Sequence, residues 1–178
     1  MTTVSWKVAD KQRDEEALKA FTCARRVPPN RRPYSWELEV QKYFHNEVWA
    51  DTNESIYLGQ RFRIAEDADG IAAAYTHSRL ADQPPFPVSD GSQTRLMVML
   101  GIATRYRWQG GKFADEVLLD ALYDIQDSEP ESAEIIVIGK VHMNNLPSQK
   151  MLKRADFEQS TQGSVARPLG LWRLTLTR

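Results

Sequence analysis

Residues Leu96 to Leu118 read LMVMLGIATRYRWQGGKFADEVL, and this stretch decides the fold. It opens with a continuous apolar run, Leu96–Ala103, which is typical of a strand that is covered on both faces. Two glycines follow at Gly110 and Gly111, and apolar residues then recur at helical spacing from Val117 to Ile125. The stretch therefore predicts a buried strand that turns tightly into a long helix.

A second strand and helix follow in the same order. Glu134–Gly139 predicts another buried strand, and residues 147–155 predict a short helix. Strand, helix, strand, helix is the order of a parallel crossover unit. Ahead of it, Arg61–Ile64 alternates polar and apolar residues and Asp67–Gly70 is turn chemistry, which predicts a hairpin. We expect one α/β domain over residues 1–178, with a mixed central sheet and helices on both faces.

The rest of the chain supplies shorter elements. Apolar spacing predicts a helix over Asp14–Arg25 and a second helix over Trp36–Val48, capped by Ser35. The segment Gln83–Gly91 contains three prolines and is predicted to be a loop. A closing strand is expected over Leu171–Thr177.

Composition excludes several classes of protein. The 178 residues carry 23 basic and 24 acidic side chains, so the chain lacks the basic excess of general nucleic-acid binders. No apolar run approaches the ~20 residues that a membrane helix needs, and the first residues lack the apolar stretch of a secretory signal. The single cysteine, Cys23, excludes an intrachain disulfide framework and a Cys-rich zinc site. We expect a cytoplasmic protein with no metal and no membrane partner.

Two junctions between a strand and a helix could bind a ligand. At the first, Gly110 and Gly111 let the backbone turn closely, and the free amides of the next helical turn suit a phosphate. The alternative is that the glycines only make a turn. At the second, Asn145 can satisfy backbone groups at a helix start and Pro147 suits a first turn. This junction also has an ordinary structural explanation.

Together, and in this order, the two junctions resemble the GNAT superfamily of N-acetyltransferases. The family's first segment, Gln/Arg-x-x-Gly-x-Gly/Ala between strand and helix, is matched by Gln109–Ala114. Its second segment, Asn-x-x-Ser followed by a short helix that ends before Gly-Phe, is matched by Asn145, Ser148 and Phe157. This version looks most like the branch that acetylates the N-terminal alanine of a ribosomal protein. The resemblance covers residues 94–160.

Three residues depart from the family pattern. Lys112 stands at the usual central glycine, so either Gly111 takes that role or the lysine amine reaches a phosphate. Leu152 stands where many members have a tyrosine that protonates the leaving thiolate. Asp156 replaces the glycine before Phe157, and Asp tolerates a left-handed helix end at some cost.

The resemblance implies an acetyl-CoA-dependent transfer of an acetyl group to a primary amine by direct attack. Acetyl-CoA would lie where the two central parallel strands splay apart, and no metal would take part. Backbone groups of the first strand would pair with the pantetheine arm, the glycine segment would hold the pyrophosphate, and the second junction would meet the pantetheine. The cofactor-binding residues implied in this way are Ile102, Thr104, Gln109, Gly110, Gly111, Lys112, Phe113, Ala114, Asn145 and Ser148.

A base or a water chain must remove the proton of the attacking amine. The candidate bases are His142, just beyond the second buried strand, His77 near the end of the hairpin, and Glu66 on the hairpin. Each of these side chains also has an ordinary structural or solvated interpretation.

The acceptor stays open at this stage. The arginine cluster at residues 25–32 would suit an amine linked to nucleic acid, such as aminoacyl-tRNA, whereas the acidic residues 37–54 would suit a cationic amine. Nucleic acid is the less expected partner, and a small molecule or a protein N-terminus both fit. A degenerate member that binds CoA or a protein without catalysis is a further alternative. Homodimers are frequent in the resembled family, so a homodimer is one expected state.

Overall fold

The structure is a computed structural model that describes residues 4–24, 32–50, 57–81, 84, 86–107, 109, 111–131 and 134–177. Within these ranges no helix combines the length and the apolar content that a membrane span requires. The strands are β1 (Ser5–Val8), β2 (Tyr57–Asp67), β3 (Gly70–Leu80), β4 (Gln93–Ile102), β5 (Ile135–His142), β6 (Glu158–Thr161) and β7 (Leu169–Leu176). The helices are α1 (Lys11–Ala20), α2 (Ser35–Lys42), α3 (Lys112–Asp127) and α4 (Leu146–Arg154).

The strands form a seven-stranded sheet in the order β1-β2-β3-β4-β5-β7-β6. β4 and β5 run parallel, whereas β1 with β2, β5 with β7, and β6 with β7 are antiparallel. The parallel pairs between described residues extend from Gln93–Ile135 to Met97–Gly139, although β4 continues to Ile102 and β5 to His142. The predicted α/β class and mixed sheet with a parallel central pair are confirmed.

The chain divides into two compact units. The first is built from Met1–Asn53, Arg61–Thr76 and Met99–Phe113, and the second from Glu54–Gln60, His77–Val98 and Ala114–Arg178. Strands β2, β3 and β4 therefore each contribute residues to both units.

In the first unit, α1 begins with a side-chain cap. The Asp10 carboxylate accepts a hydrogen bond from the Arg13 amide at 3.0 Å, which satisfies one of the free donors of the first turn. Asp14 is 1% exposed and lies 3.0 Å from the Lys7 ammonium and 2.7 Å from the Arg13 guanidinium. These cations hold the pKa of the Asp14 carboxyl well below its usual value, with the Arg13 hydrogen bond as the largest cause.

The segment Phe21–Ala24 leaves the helix because other residues take its backbone polar groups. Its carbonyls accept hydrogen bonds from the His45 ring, the Thr104 amide and the Arg107 guanidinium, and its amides at positions 23 and 24 donate to the Gln41 side chain. The predicted helix over Asp14–Arg25 is therefore wrong at its C-terminal end, since α1 stops at Ala20 and Arg25 lies outside the described residues.

In the second unit, α3 and α4 pack on the sheet over one apolar cluster. Leu118 and Ile125 of α3 and Leu152 of α4 contact β5 through Val137 and β7 through Trp172. A separate cluster is formed by Leu96, Ile136, Ile138 and Leu171, against which Phe86 and Val88 of the predicted proline loop pack. The described residues of that loop have no regular secondary structure, as expected.

Other predicted boundaries differ from the structure for local reasons. The predicted helix Trp36–Val48 is split, because α2 ends at Lys42 and Tyr43–Glu47 form a π-helical turn. Its predicted cap is also wrong, since Tyr34 is the N-cap and Ser35 is already helical. Strands β1 and β6 were not predicted from the sequence. Each has four residues, and neither carries the long apolar run that marks a buried strand.

Gly101 of β4 is required by close packing. A Cβ at this position would lie 2.9 Å from Phe44 Cε2 and 3.1 Å from both Phe21 Cε1 and Val40 Cγ1. By contrast, a Cβ on Gly139 of β5 would meet only Leu152 Cδ1 at the ordinary distance of 3.7 Å. We expect Gly101→Ala to lower the free energy of unfolding by about 1–3 kcal/mol through overpacking. Gly139→Ala should cost clearly less. Urea denaturation of both variants measures the difference, and equal losses would contradict the packing argument.

Candidate functional site

The turn into α3 is the first of the two junctions that the sequence singles out, and the structure describes its residues Gln109 and Gly111. Gly111 has φ of +81°, a backbone conformation that glycine adopts without steric cost. Lys112 is the first residue of α3 and its side chain is exposed. The first amides of a helix have no partner within the helix, and the helix dipole favours an anion there. Gly110, which the sequence also assigns to this segment, lies outside the described residues.

Thr104 follows β4 and opens a single 3₁₀ turn, Thr104–Tyr106. Its amide donates to the Thr22 carbonyl at 2.9 Å, and its carbonyl accepts from the Arg107 amide at 3.3 Å. Both backbone groups of Thr104 are therefore engaged within the protein. A pantetheine arm that pairs with the Thr104 amide would have to replace the bond to Thr22.

Asp67, at the end of β2, binds the two residues that follow Thr104. Its side chain is 2% exposed, accepts a hydrogen bond from the Tyr106 hydroxyl, and lies 2.8 Å from Arg105 Nη2. Arg105 also donates to the Gly70 carbonyl at 3.0 Å, and the Asp69 amide donates to Asp67 at 2.8 Å. Burial acts to raise the pKa of Asp67, but the hydrogen bonds from Tyr106 and Arg105 outweigh it, so the pKa lies below its usual value.

Two further contacts fix the chain around this turn. The Tyr106 and Phe113 rings stack with centroids 4.1 Å apart and planes 27° apart, and each residue is 7% exposed. The Arg107 guanidinium binds the Glu37 carboxylate and the Cys23 carbonyl. Sequence reasoning missed Asp67 and Glu37 as partners of this segment.

The second junction folds as its sequence predicts. Asn145 is the N-cap of α4, and its side-chain oxygen accepts from the Ser148 amide at 3.3 Å. Leu152 is 5% exposed and belongs to the apolar cluster of the second unit, so it is a packing residue. Asp156 has φ of +60°, which confirms the left-handed helix end, and the Phe157 amide donates to the Leu152 carbonyl at 3.0 Å.

Two of the three candidate bases, His142 and Glu66, have intramolecular partners. Nδ1 of His142 accepts a hydrogen bond from the Asn144 amide at 3.1 Å, so the neutral ring carries its proton on Nε2. His142 can accept a proton only at Nδ1, after that bond breaks. The Glu66 carboxylate lies 2.6 Å from the Lys7 ammonium and is partly exposed.

His77 belongs to a buried network in the second unit. It is 0% exposed, its Nε2 lies 2.8 Å from Asp124, and its Nδ1 lies 3.1 Å from Arg95 Nη1. Because an arginine only donates, Nδ1 is the acceptor and the Nε2 proton faces Asp124. Arg95 also binds Glu129 at 2.6 Å. The enclosed ring supports the fold rather than proton transfer to a substrate.

Cys23, the chain's single cysteine, is 2% exposed. Burial is the largest cause that raises the pKa of its thiol, to about 12. Cys23 is therefore neutral at physiological pH and cannot act as a thiolate nucleophile.

Comparison with solved structures identifies the fold as that of GNAT acetyltransferases. The ribosomal-protein-S18-alanine N-acetyltransferase from Escherichia coli superposes with a TM-score of 0.60 at 11% identity, over 99% of this chain and 96% of that chain. An acetyltransferase of the GNAT family from Streptococcus pneumoniae gives 0.59 at 16% identity, over 98% and 100%. The NatC complex bound to Gag peptide and CoA gives 0.56 at 12% identity, over 98% of each chain.

These identities are low and show the fold alone. Comparison with models of protein families finds no match, and neither does comparison with curated protein sequences.

The lowered pKa of Asp67 predicts how stability depends on pH. A carboxylate whose pKa is lowered by folding stabilises the protein above about pH 4, and this contribution is lost as the pH falls toward the folded-state pKa. We expect Asp67→Asn to lower the free energy of unfolding at pH 7 by about 1–3 kcal/mol. The difference in free energy of unfolding between Asp67→Asn and the unmodified protein should become smaller below about pH 4. Urea denaturation at several pH values measures it.

Asp69→Asn is the matched control, because Asp69 lies in the same turn and is exposed. The role of the buried charge would be contradicted if the loss in free energy of unfolding caused by Asp67→Asn stayed constant down to about pH 3. It would also be contradicted if Asp69→Asn caused the same loss.

Proposed function

We propose that this protein transfers an acetyl group from acetyl-CoA to a primary amine. The proposal is carried by the start of α3, where the chain turns at Gly111 with φ of +81° and the helix begins at the exposed Lys112. A helix start of this form suits a pyrophosphate, and it occurs in a fold shared with GNAT acetyltransferases.

The first group of contacts is to phosphate. We propose that main-chain amides of Gln109, Gly110, Gly111, Lys112, Phe113 and Ala114 hold the pyrophosphate, and that the Lys112 ammonium adds a charge-assisted contact. A lysine at this position would supply the positive charge that two phosphates need, whereas the glycine usual in the resembled family supplies only space.

The second group of contacts is to the pantetheine arm. We propose that the arm pairs with the backbone of Ile102, because both backbone groups of Thr104 have partners within the protein. If the Thr104 amide also contributes, the bond to Thr22 must open first. Asn145 and Ser148 are proposed to meet the same arm through their side chains. The cap of α4 orients the Asn145 side chain, because its oxygen accepts a hydrogen bond from the Ser148 amide.

The chemistry is a direct attack of the amine on the thioester. The amine nitrogen forms a bond to the carbonyl carbon, the carbon–sulfur bond breaks, and sulfur leaves with the electron pair. The attacking nitrogen loses one proton and the thiolate gains one, so the reaction is balanced without a redox partner. The buried, neutral Cys23 is the chain's single cysteine and supports direct transfer over an acyl-cysteine intermediate.

His142 is the base that we propose, with Glu66 as the alternative. His142 is half-buried and its ring can exchange the Asn144 bond for a substrate proton. Glu66 is bound to Lys7, and giving up this ion pair would leave the ammonium without that partner. The acceptor is proposed to be a protein N-terminus that begins with alanine or a small amine. We expect the protein to act in the cytoplasm.

Binding of CoA is the first test. CoA should stabilise the folded state by about 2.7 kcal/mol at a hundredfold excess over its dissociation constant, and pantetheine, which has no phosphate, much less. Lys112→Ala should weaken CoA binding by roughly tenfold, which is about 1.4 kcal/mol. Thermal-shift titration measures all three.

Lys11→Ala is the matched control, because Lys11 is also the exposed first residue of a helix. Equal affinities of the Lys112 and Lys11 variants would show that only the backbone binds phosphate. A complete lack of stabilisation by millimolar CoA would refute the proposed function.

Transfer is the second test. With acetyl-CoA and a panel of alanine peptides and polyamines, release of free thiol should depend on the amine. His142→Gln should lower this rate at least tenfold with unchanged CoA affinity, because only proton removal is lost. A loss in Glu66→Gln instead would assign the base to Glu66. Binding of CoA without transfer to any amine would favour a member that binds without catalysis.

A further inference from the structure

We infer that Asp67 is a positioning residue for the phosphate-binding segment and acts on it through Tyr106 and Phe113. The inference rests on the proposed function, because the segment that it positions is the one proposed to bind the pyrophosphate of CoA. Asp67 itself is negative and its oxygens already accept from Tyr106, Arg105 and the Asp69 amide, so it does not touch phosphate.

The sequence of the phosphate-binding segment, Gln109–Ala114, indicates that contacts with other residues must fix its conformation. The segment Gln109–Ala114 contains two adjacent glycines, and glycine loses more conformational freedom on ordering than other residues do. A phosphate bound by backbone amides requires those amides to be fixed in one arrangement. Without such a hold, part of the binding free energy would be spent on ordering the segment.

The stack between Tyr106 and Phe113 anchors the chain just before the segment and near the segment's C-terminal end. The ring centroids are 4.1 Å apart and both residues are 7% exposed, so the two rings pack against each other away from solvent. Tyr106 belongs to the 3₁₀ turn and Phe113 to the first turn of α3, so Gln109 and Gly111 lie in the chain between two anchored rings.

Asp67 fixes the Tyr106 side of this stack. The Tyr106 hydroxyl donates to the Asp67 carboxylate, and Arg105 bridges that carboxylate and the Gly70 carbonyl. The carboxylate sits at the tight turn between β2 and β3, and hydrogen bonds to an ionised acceptor are the strong ones. The β2–β3 turn therefore serves as the rigid support on which the ring of Tyr106 is oriented.

The test removes one hydroxyl and keeps the ring. Tyr106→Phe retains the stack on Phe113 but loses the bond to Asp67. Dissociation constants for CoA and for pantetheine are measured by titration of the folded protein. We expect CoA to bind about fivefold to tenfold more weakly and pantetheine to bind as it does to the unmodified protein. Asp67→Asn, which removes the charge, should shift the ratio in the same direction.

Tyr43→Phe is the matched control. Tyr43 is also buried in the first unit, and its hydroxyl lies 3.1 Å from the Thr76 hydroxyl of β3 rather than beside Asp67. This variant should lose stability, as Tyr106→Phe does, while its ratio of CoA to pantetheine affinity stays unchanged. A structural role for Tyr106 alone would lower stability in both variants and leave both ratios unchanged.

The outcomes separate the two proposals. If the unmodified protein prefers CoA over pantetheine but Tyr106→Phe keeps the same preference as Tyr43→Phe, the positioning role is refuted and the proposed function stands. If the unmodified protein binds neither compound, the proposed function fails and the positioning role fails with it. A weaker preference for CoA confined to Tyr106→Phe and Asp67→Asn supports the positioning role.

Discussion

The parallel backbone pairing of β4 and β5 is the constraint on which the rest of the structure depends. The two strands run in the same direction from the pair Gln93 and Ile135 to the pair Met97 and Gly139. Each strand is followed by a helix, α3 after β4 and α4 after β5, whose first backbone amides have no partner within the helix. The pairing is held by side chains that are almost completely buried, such as Ile135 and Val137. Parallel strands buried in this way need other elements to cover their faces. In the second unit, α3 and α4 cover the apolar side chains of β5.

Each unit contains a buried carboxylate that accepts hydrogen bonds from several side chains. Asp67 in the first unit and Glu129 in the second have lowered pKa values, because hydrogen bonds from arginines and, for Asp67, a tyrosine outweigh the effect of burial. Such groups cost free energy unless every acceptor is satisfied, so they specify one arrangement of the chain around them. Asp67 does this beside a glycine-containing turn, where side-chain packing alone offers little to define a conformation.

The sequence predicts the features that depend on neighbouring residues. The apolar runs predict β4 and β5, Asn145 predicts the cap of α4, and Asp156 predicts the left-handed helix end. Features that depend on distant residues are missed. The end of α1 at Ala20 results from hydrogen bonds that Phe21–Ala24 make with residues 17 to 84 positions away. The contact of Asp67 with Tyr106 spans 39 positions and has no local pattern.

Leu152 occupies the position at which many GNAT members have a tyrosine that protonates the leaving thiolate. Its side chain is 5% exposed in an apolar cluster, so α4 supplies no acid at this position for the leaving thiolate. An amine and a thioester already contain the proton that an amide and a thiol require, because the nitrogen loses one proton for each sulfur that gains one. A residue that accepts the proton from nitrogen can therefore pass it on to sulfur, directly or through water. His142 holds one ring proton and can accept a second at Nδ1, so it can both accept the proton from the amine nitrogen and donate a proton to sulfur. A dedicated acid is then dispensable, and an apolar Leu152 is compatible with catalysis.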